Sequence, residues 1–269
     1  MEKVPAGAAR RSSPKIRFFD NSDASWSQYG RDDPYYGVFS GERFRTKNLN
    51  ETSLKEFFDS GEIQIDRILR DANLYTNSAL ATSDALDFGC GVGRLVVPLA
   101  RRFRSVVGID VSNDYLAEAG RNCERRGLAN VEFANSVTSL LGSGRRFDLI
   151  HSSIVFNHIP WPRGREIIGE MFQLLRPGGM IAIQVLHWQE IGRLHRLARA
   201  ARKFLPFHWL LNVLQGRRML EPLMQSNEYP LDELVALLHR QGAKAVTIQP
   251  QTNENREHWA FVFCRKETT

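Results

Sequence analysis

The stretch Leu86-Asp87-Phe88-Gly89-Cys90-Gly91-Val92-Gly93-Arg94 constrains this chain more than any other. A turn-like run, Ala81-Thr82-Ser83-Asp84, precedes it, and an apolar run, Leu95-Val96-Val97-Pro98-Leu99-Ala100, follows. The pattern predicts a short buried strand, a glycine loop and a helix. Glycine lets the backbone turn sharply and lets a ligand approach closely. The helix start behind the loop offers unpaired N–H groups and the positive end of a dipole. Pro98 is the awkward residue, because proline suits a helix's first turn better than its interior. The dinucleotide fingerprint G-x-G-x-x-G would need glycine at position 94, where Arg94 stands. Asp87, two positions before the first glycine, suits an ammonium-bearing ligand better than a pyrophosphate. A tight strand–helix turn without a ligand is the plain alternative.

The next strand narrows the choice. Ser105-Val106-Val107-Gly108-Ile109 is β-branched and leads into Asp110, 19 residues beyond Gly91. In a doubly wound sheet an acid at the tip of the second strand reaches a ribose. Ser112 has the character of an N-cap for a helix through Tyr115, Leu116 and Ala119. Together, residues 86–112 resemble the class I S-adenosylmethionine-dependent methyltransferases, in their small-molecule-type bacterial branch. The likeness continues through Phe147-Asp148-Leu149-Ile150-His151 and Leu174-Leu175-Arg176-Pro177-Gly178-Gly179, and covers roughly 80–265 at the level of fold. It is specific to the cofactor and silent on the acceptor.

The resemblance implies S-adenosyl-L-methionine as cofactor and S-adenosyl-L-homocysteine as product. It places Asp87, Gly89, Gly91 and Gly93 at the methionine end, Asp110 on the ribose hydroxyls and Val111 on the adenine, with Cys90 and Arg94 also among the cofactor-binding residues. Many members carry an acid after the third strand for the adenine amino group. Here Asn135 and Ser136 stand instead, and either side chain can accept that hydrogen bond. Ser153 belongs to the post-strand region that faces cofactor and substrate, as do Phe156, Asn157 and His158. His158 is the candidate general base, since histidine can take a proton near neutral pH; a structural histidine capping the next helix is the equal alternative. Further acceptor-pocket candidates are Tyr29, Tyr35, Tyr36 and His187. His151, inside a strand, reads as a buried, hydrogen-bonded histidine.

The rest of the chain is ordinary for a globular protein: 42% hydrophobic and 25% charged residues over 269 positions. Residues 1–14 lack the apolar core of a secretory signal, and no apolar run reaches membrane-spanning length. Three unclustered cysteines argue against a disulfide framework and point to a reducing, cytoplasmic setting. No His/Cys/Asp cluster has metal-ligand spacing, so no metal is expected. The net charge of +6 sits in one place: residues 187–218 hold seven basic residues against Glu190, and the remainder balances at 29 each.

The expected order is a flexible N-terminus over 1–20 and a helical cap over 21–78, with short helices near 24–29 and 53–59 and a longer one over 61–73. The methyltransferase domain then spans 79–269. Its strands fall at 130–134, 147–152, 180–186, 244–249 and 258–265, with helices at 163–175 and 231–241. Strands alternating with helices imply an α/β fold: a Rossmann-like, doubly wound, mostly parallel seven-stranded sheet, with an antiparallel last strand as the family has. A helical lid is inserted over 187–226. Its segment 193–203 is an amphipathic basic helix, with Leu194, Leu197, Ala198, Ala201 and Leu205 on one stripe. Three readings of it stay open, in falling order: a lid over the substrate, a membrane contact through 193–214, and a nucleic-acid contact. The expected activity is methyl transfer to oxygen or nitrogen of a small molecule, a sugar or specialised metabolite. A lipid or RNA acceptor and a non-catalytic cofactor-binding scaffold are the alternatives. A nicotinamide enzyme ranks below them because of Arg94. Oligomeric state is open.

Overall fold

The computed structural model describes residues 22–76, 80–190, 210, 212–214, 219, 221–254 and 256–267. The expected N-terminal tail over 1–20 and the basic helix over 193–203 lie outside the described residues.

Three helices precede the sheet: α1 (Ser22–Asp32), α2 (Pro34–Val38) and α3 (Glu51–Thr76). Pro34 opens α2, where its missing N–H removes no helical bond. α3 is a single helix of 26 residues, not the two expected over 53–59 and 61–73. Glycine inside a helix costs about 1 kcal/mol relative to alanine, which is why Gly61 reads as a break. Packing overrides that cost. A Cβ at Gly61 would overlap the Arg94 carbonyl oxygen, so only glycine lets α3 lie this close. Pro98 explains why that carbonyl is free. It is the third residue of the short helix α4 (Val96–Ala100), within the first turn, and it has no N–H to donate back to Arg94.

β1 (Asp84–Phe88), β2 (Ser105–Ile109), β3 (Val131–Ala134) and β4 (Phe147–Ser152) follow, with α5 (Asn113–Glu124) and α6 (Thr138–Leu141) between them. α7 (Trp161–Gln173), β5 (Leu175–Gln189), α8 (Leu231–Arg240), β6 (Ala243–Thr252) and β7 (Glu257–Lys266) complete the chain. The sheet order is β3-β2-β1-β4-β5-β7-β6. β1 to β5 run parallel, and β7 runs antiparallel to both of its neighbours.

The central strands are buried because both faces of the sheet are covered. Ala85, Val106 and Leu149 share one core with Phe57, Ile65 and Leu99 of the helices on that side. Leu86, Val107 and Ile150 point the other way, to Ile168, Phe172 and Leu234. β7 is inserted between β5 and β6 for the same reason: Ala260 to Cys264 are five consecutive buried residues, whereas β6 alternates and forms the edge.

β5 begins at Leu175, five residues before the expected start. Arg176-Pro177-Gly178-Gly179 forms a bulge in the strand: Phe147 pairs with Leu175, and Leu149 with Met180. Arg176 holds the bulge by donating to Asp148 at 2.7 Å and to Asp84 at 2.5 Å. Among the described residues no helix is long and apolar enough to cross a membrane.

Candidate active site

The loops at the C-terminal ends of β1 to β4 surround a cavity of about 830 Å³, closed on the far side by α1, α2 and α7. Its floor is the glycine loop. The N–H groups of Gly89 and Cys90 both donate to the Ile109 carbonyl, at 2.7 and 2.9 Å, which pins the loop to the end of β2. Gly91 has φ +52°, and its N–H donates to Asp110 Oδ2 at 3.0 Å. A side chain there would be strained and would also strike Val38 of α2. The other Asp110 oxygen accepts from the Ser112 N–H at 3.0 Å, and Ser112 caps α5 as expected. Burial, opposed by these backbone donors, pushes the Asp110 carboxyl up to about 6. Burying a carboxylate disfavours its charged form, so further donors from a ligand would stabilise it.

Asp87 and Arg94 form the second polar centre. Asp87 is 2% exposed, and its Oδ1 accepts from Nδ1 of His151, 2.8 Å away and fully buried. Arg94 donates to Ser60 Oγ at 3.2 Å and to Gln64 Oε1 at 2.7 Å. Its Nε is buried without a partner among the described residues. Burial, opposed by the nearby Asp87 charge, lowers the guanidinium to about 10. A buried carboxylate beside a buried guanidinium with an unmet donor fits a zwitterionic amino-acid end, whose ammonium and carboxylate need these opposite partners. The described residues therefore fit S-adenosylmethionine, with Asp110 placed for the ribose.

Val111, Asn135 and Ser136 line the next part of the cavity. Asn135 donates to Asn113 Oδ1 at 2.8 Å, and Ser136 Oγ accepts from the Ser139 N–H at 3.3 Å. Ser153 also faces the cavity and links two glutamines, accepting from Gln64 at 2.8 Å and donating to Gln184 at 2.7 Å. Gly93 does not reach the lining. It turns toward Ala119 of α5, so its place in the motif is to bring helix and loop together.

His158 also lines the cavity, with the ring of Trp26 of α1 tilted against it at 4.6 Å between centroids. Its Nδ1 lies 2.6 Å from the Gln225 carbonyl, which can only accept, so Nδ1 carries the hydrogen. Nε2 then bears the lone pair, 3.2 Å from the Asn157 amide nitrogen. Burial, only partly offset by the Gln225 bond, lowers the imidazole to about 4. That makes it a weak base and a good neutral hydrogen-bond acceptor. Tyr115, which the sequence marks only as a helix residue, also lines the cavity, with its hydroxyl buried and unpartnered among the described residues. Its place in the first turn after Asp110 is the signal that could have flagged it.

The tyrosine candidates lie elsewhere. Tyr29 donates to the Pro222 carbonyl at 3.0 Å, and Tyr35 donates to Glu118 at 2.6 Å, its hydroxyl pushed up to about 12 by burial and that carboxylate. The Arg45 guanidinium lies over the Tyr36 ring at 3.3 Å. All three are core residues outside the lining. So are Phe156, stacked on Phe88, and Asn157, whose amide serves His158. His187 lies farther along β5 against His258. From the N-terminal region the lining takes Trp26, Val38, Phe39 and Phe44 instead. A bidentate ion pair from Arg163 of α7 to Asp23 of α1, at 2.8 and 2.9 Å, ties the two sides of the rim.

Residues 85–179 match the family described as a methyltransferase domain. The ubiquinone biosynthesis O-methyltransferase of Methylococcus capsulatus is 30% identical over 120 residues, 44% of this chain and 50% of that protein. The tRNA/tmRNA (uracil-C(5))-methyltransferase of Campylobacter curvus is 29% identical over 113 residues, 38% of this chain and 31% of that protein. The chain thus spans half or less of the curated relatives it matches. Among solved structures, magnesium protoporphyrin IX methyltransferase from Synechocystis PCC 6803 with bound S-adenosylhomocysteine superposes with a TM-score of 0.59 at 16% identity, over 91% of this chain and 100% of that one. Residues 85–179 thus match a methyltransferase domain, and the chain shares the fold of that S-adenosylhomocysteine-bound methyltransferase.

Proposed function

We propose that the protein transfers a methyl group from S-adenosyl-L-methionine to an oxygen or nitrogen of a small-molecule acceptor, a sugar or specialised metabolite, in the cytoplasm. The carrying observation is that the wall of the cavity includes the apolar side chains Trp26, Val38, Phe39, Phe44 and Ile167 beside its polar residues. A walled cavity with apolar side chains in its lining suits a small ligand with an apolar body better than a nucleic-acid duplex, which docks through phosphate contacts on an exposed basic surface.

In this reading Asp87 and Arg94 hold the amino-acid end of the cofactor, Asp110 accepts from the ribose, and Val111, Asn135 and Ser136 border the adenine. The cofactor supplies a methyl group on a positively charged sulfur. In place of the Asn157 amide, the acceptor's O–H or N–H donates to Nε2 of His158, which aims that atom, while the tilted Trp26 ring packs against the imidazole. Because the imidazole is lowered to about 4, alignment rather than base strength is its contribution. The test is transfer of radiolabelled methyl from S-adenosylmethionine to panels of phenols, amines and sugars, with tRNA and anionic vesicles alongside. Labelling of a small acceptor supports the reading, and labelling of RNA or lipid alone overturns it. The similarity to the tRNA enzyme supports RNA as the second reading; a salt-dependent affinity for tRNA would favour it. Tight cofactor binding without turnover on any acceptor would favour a non-catalytic scaffold.

A further inference from the structure

His151 plays no part in the reaction as described, yet it sits behind the residue that bears the cofactor's ammonium in the reading above. It is fully buried in β4, 0% exposed, and is the register partner of Asp87 across the parallel β1–β4 pair. That pairing brings its Nδ1 to 2.8 Å from Asp87 Oδ1, so the imidazole donates to the carboxylate. Its ring stacks near Phe261 of β7, and its Nε2 is buried without a partner among the described residues. Among the described residues, Asp87 accepts no other hydrogen bond. A buried polar ring with half of its hydrogen-bonding capacity unmet is a cost that a hydrophobic residue would avoid. What the histidine adds is a fixed donor at one carboxylate oxygen.

We propose that His151 is a positioning residue for the cofactor's amino-acid end. By holding Oδ1 of Asp87 it fixes the carboxylate plane and leaves the second oxygen for an ammonium group in the cavity. The inference rests on Asp87 holding the ammonium, as proposed above. It concerns orientation, so it predicts selective loss: ligands with an amino-acid end suffer, and ligands without one do not.

The test uses calorimetric binding of two probes, S-adenosylhomocysteine and 5′-methylthioadenosine, which lacks the amino-acid end. His151→Leu should weaken S-adenosylhomocysteine by roughly 10- to 100-fold, the range for a hydrogen bond to a charged group, and leave 5′-methylthioadenosine within about threefold. His151→Asn, whose amide nitrogen falls near the Nδ1 position, should restore most of the loss. His151→Gln, whose amide falls at the Nε2 end, should not, and this polar pair carries the test if the leucine variant fails to fold. The double variant Asp87→Asn/His151→Leu should bind no worse than Asp87→Asn alone, since a residue acting through Asp87 is not additive with it. Equal weakening of both probes, or of neither, would overturn the proposal in favour of a purely structural histidine. If Asp87→Asn itself fails to separate the two probes, the underlying assignment of Asp87 falls, a result distinct from failure at His151.

Discussion

Below the cavity, Asp87, Gly89 to Arg94 and Asp110 come from 24 consecutive positions of chain; above it, Trp26, Val38 and Phe39 arrive from more than 40 positions earlier. The floor is held by backbone: two N–H groups on the Ile109 carbonyl, and the Gly91 and Ser112 N–H groups on Asp110. The roof is held by side chains, with Trp26 on His158 and Arg163 on Asp23. A floor made of backbone can present one ligand in one pose and tolerates little change. A roof made of side chains can be rebuilt residue by residue without disturbing what lies beneath it. One fold can therefore serve different acceptors, and the proteins this chain is similar to include a ubiquinone biosynthesis O-methyltransferase, a tRNA/tmRNA methyltransferase and, in fold, a magnesium protoporphyrin IX methyltransferase.

The largest expected effect falls on the floor. Asp110→Ala should weaken S-adenosylhomocysteine by about 100-fold or more in calorimetry, since it removes both the ribose acceptor and the anchor of the Gly91 N–H. Retained binding would mean the floor is not where the cofactor sits. On the roof, Trp26→Ala should lower kcat/KM for the acceptor by about tenfold, the scale of one aromatic contact with its burial, and leave cofactor affinity within a few-fold. Equal losses in both would dissolve the distinction between the two halves.

A pH titration sharpens the floor further. Ribose hydroxyls donate to the charged form of Asp110, so the bound carboxyl must titrate below its free value of about 6. Affinity is then flat above about pH 7, roughly halves near pH 6 and falls by up to about tenfold at pH 5, checked by S-adenosylhomocysteine titrations in matched buffers. His158, lowered to about 4, should add no inflection near neutrality to the rate profile. The smallest effect is at the rim. Asp23→Asn breaks an ion pair whose side chains are 41% and 45% exposed, so the denaturation midpoint should reflect a loss of less than about 1 kcal/mol.

Legibility in the sequence follows the same division. Asp87, the glycines and Asp110 could be read in order because strand, loop and strand tip are local and their spacing is set by one β–α–β unit. Gly93 faces Ala119 rather than the cavity, because a motif records which positions are constrained, not which neighbour constrains them. The tyrosines at 29, 35 and 36 lie outside the cavity lining for a related reason. Their chemistry suits a pocket, but their hydroxyls meet Pro222 and Glu118 from distant parts of the chain, and a guanidinium covers the Tyr36 ring.

By itself, then, the sequence determined the mostly parallel sheet, implied by strands alternating with helices, the glycine turn after β1, and the acid at the tip of β2. Only the tertiary structure decided that α3 runs straight through Gly61, because the helix is held by contact with the Arg94 carbonyl rather than by propensity. It also decided that His151 stands behind Asp87, because that pairing depends on the register of two strands 64 positions apart. Local pattern reports what each segment prefers; which side chains share a cavity is set by packing between segments.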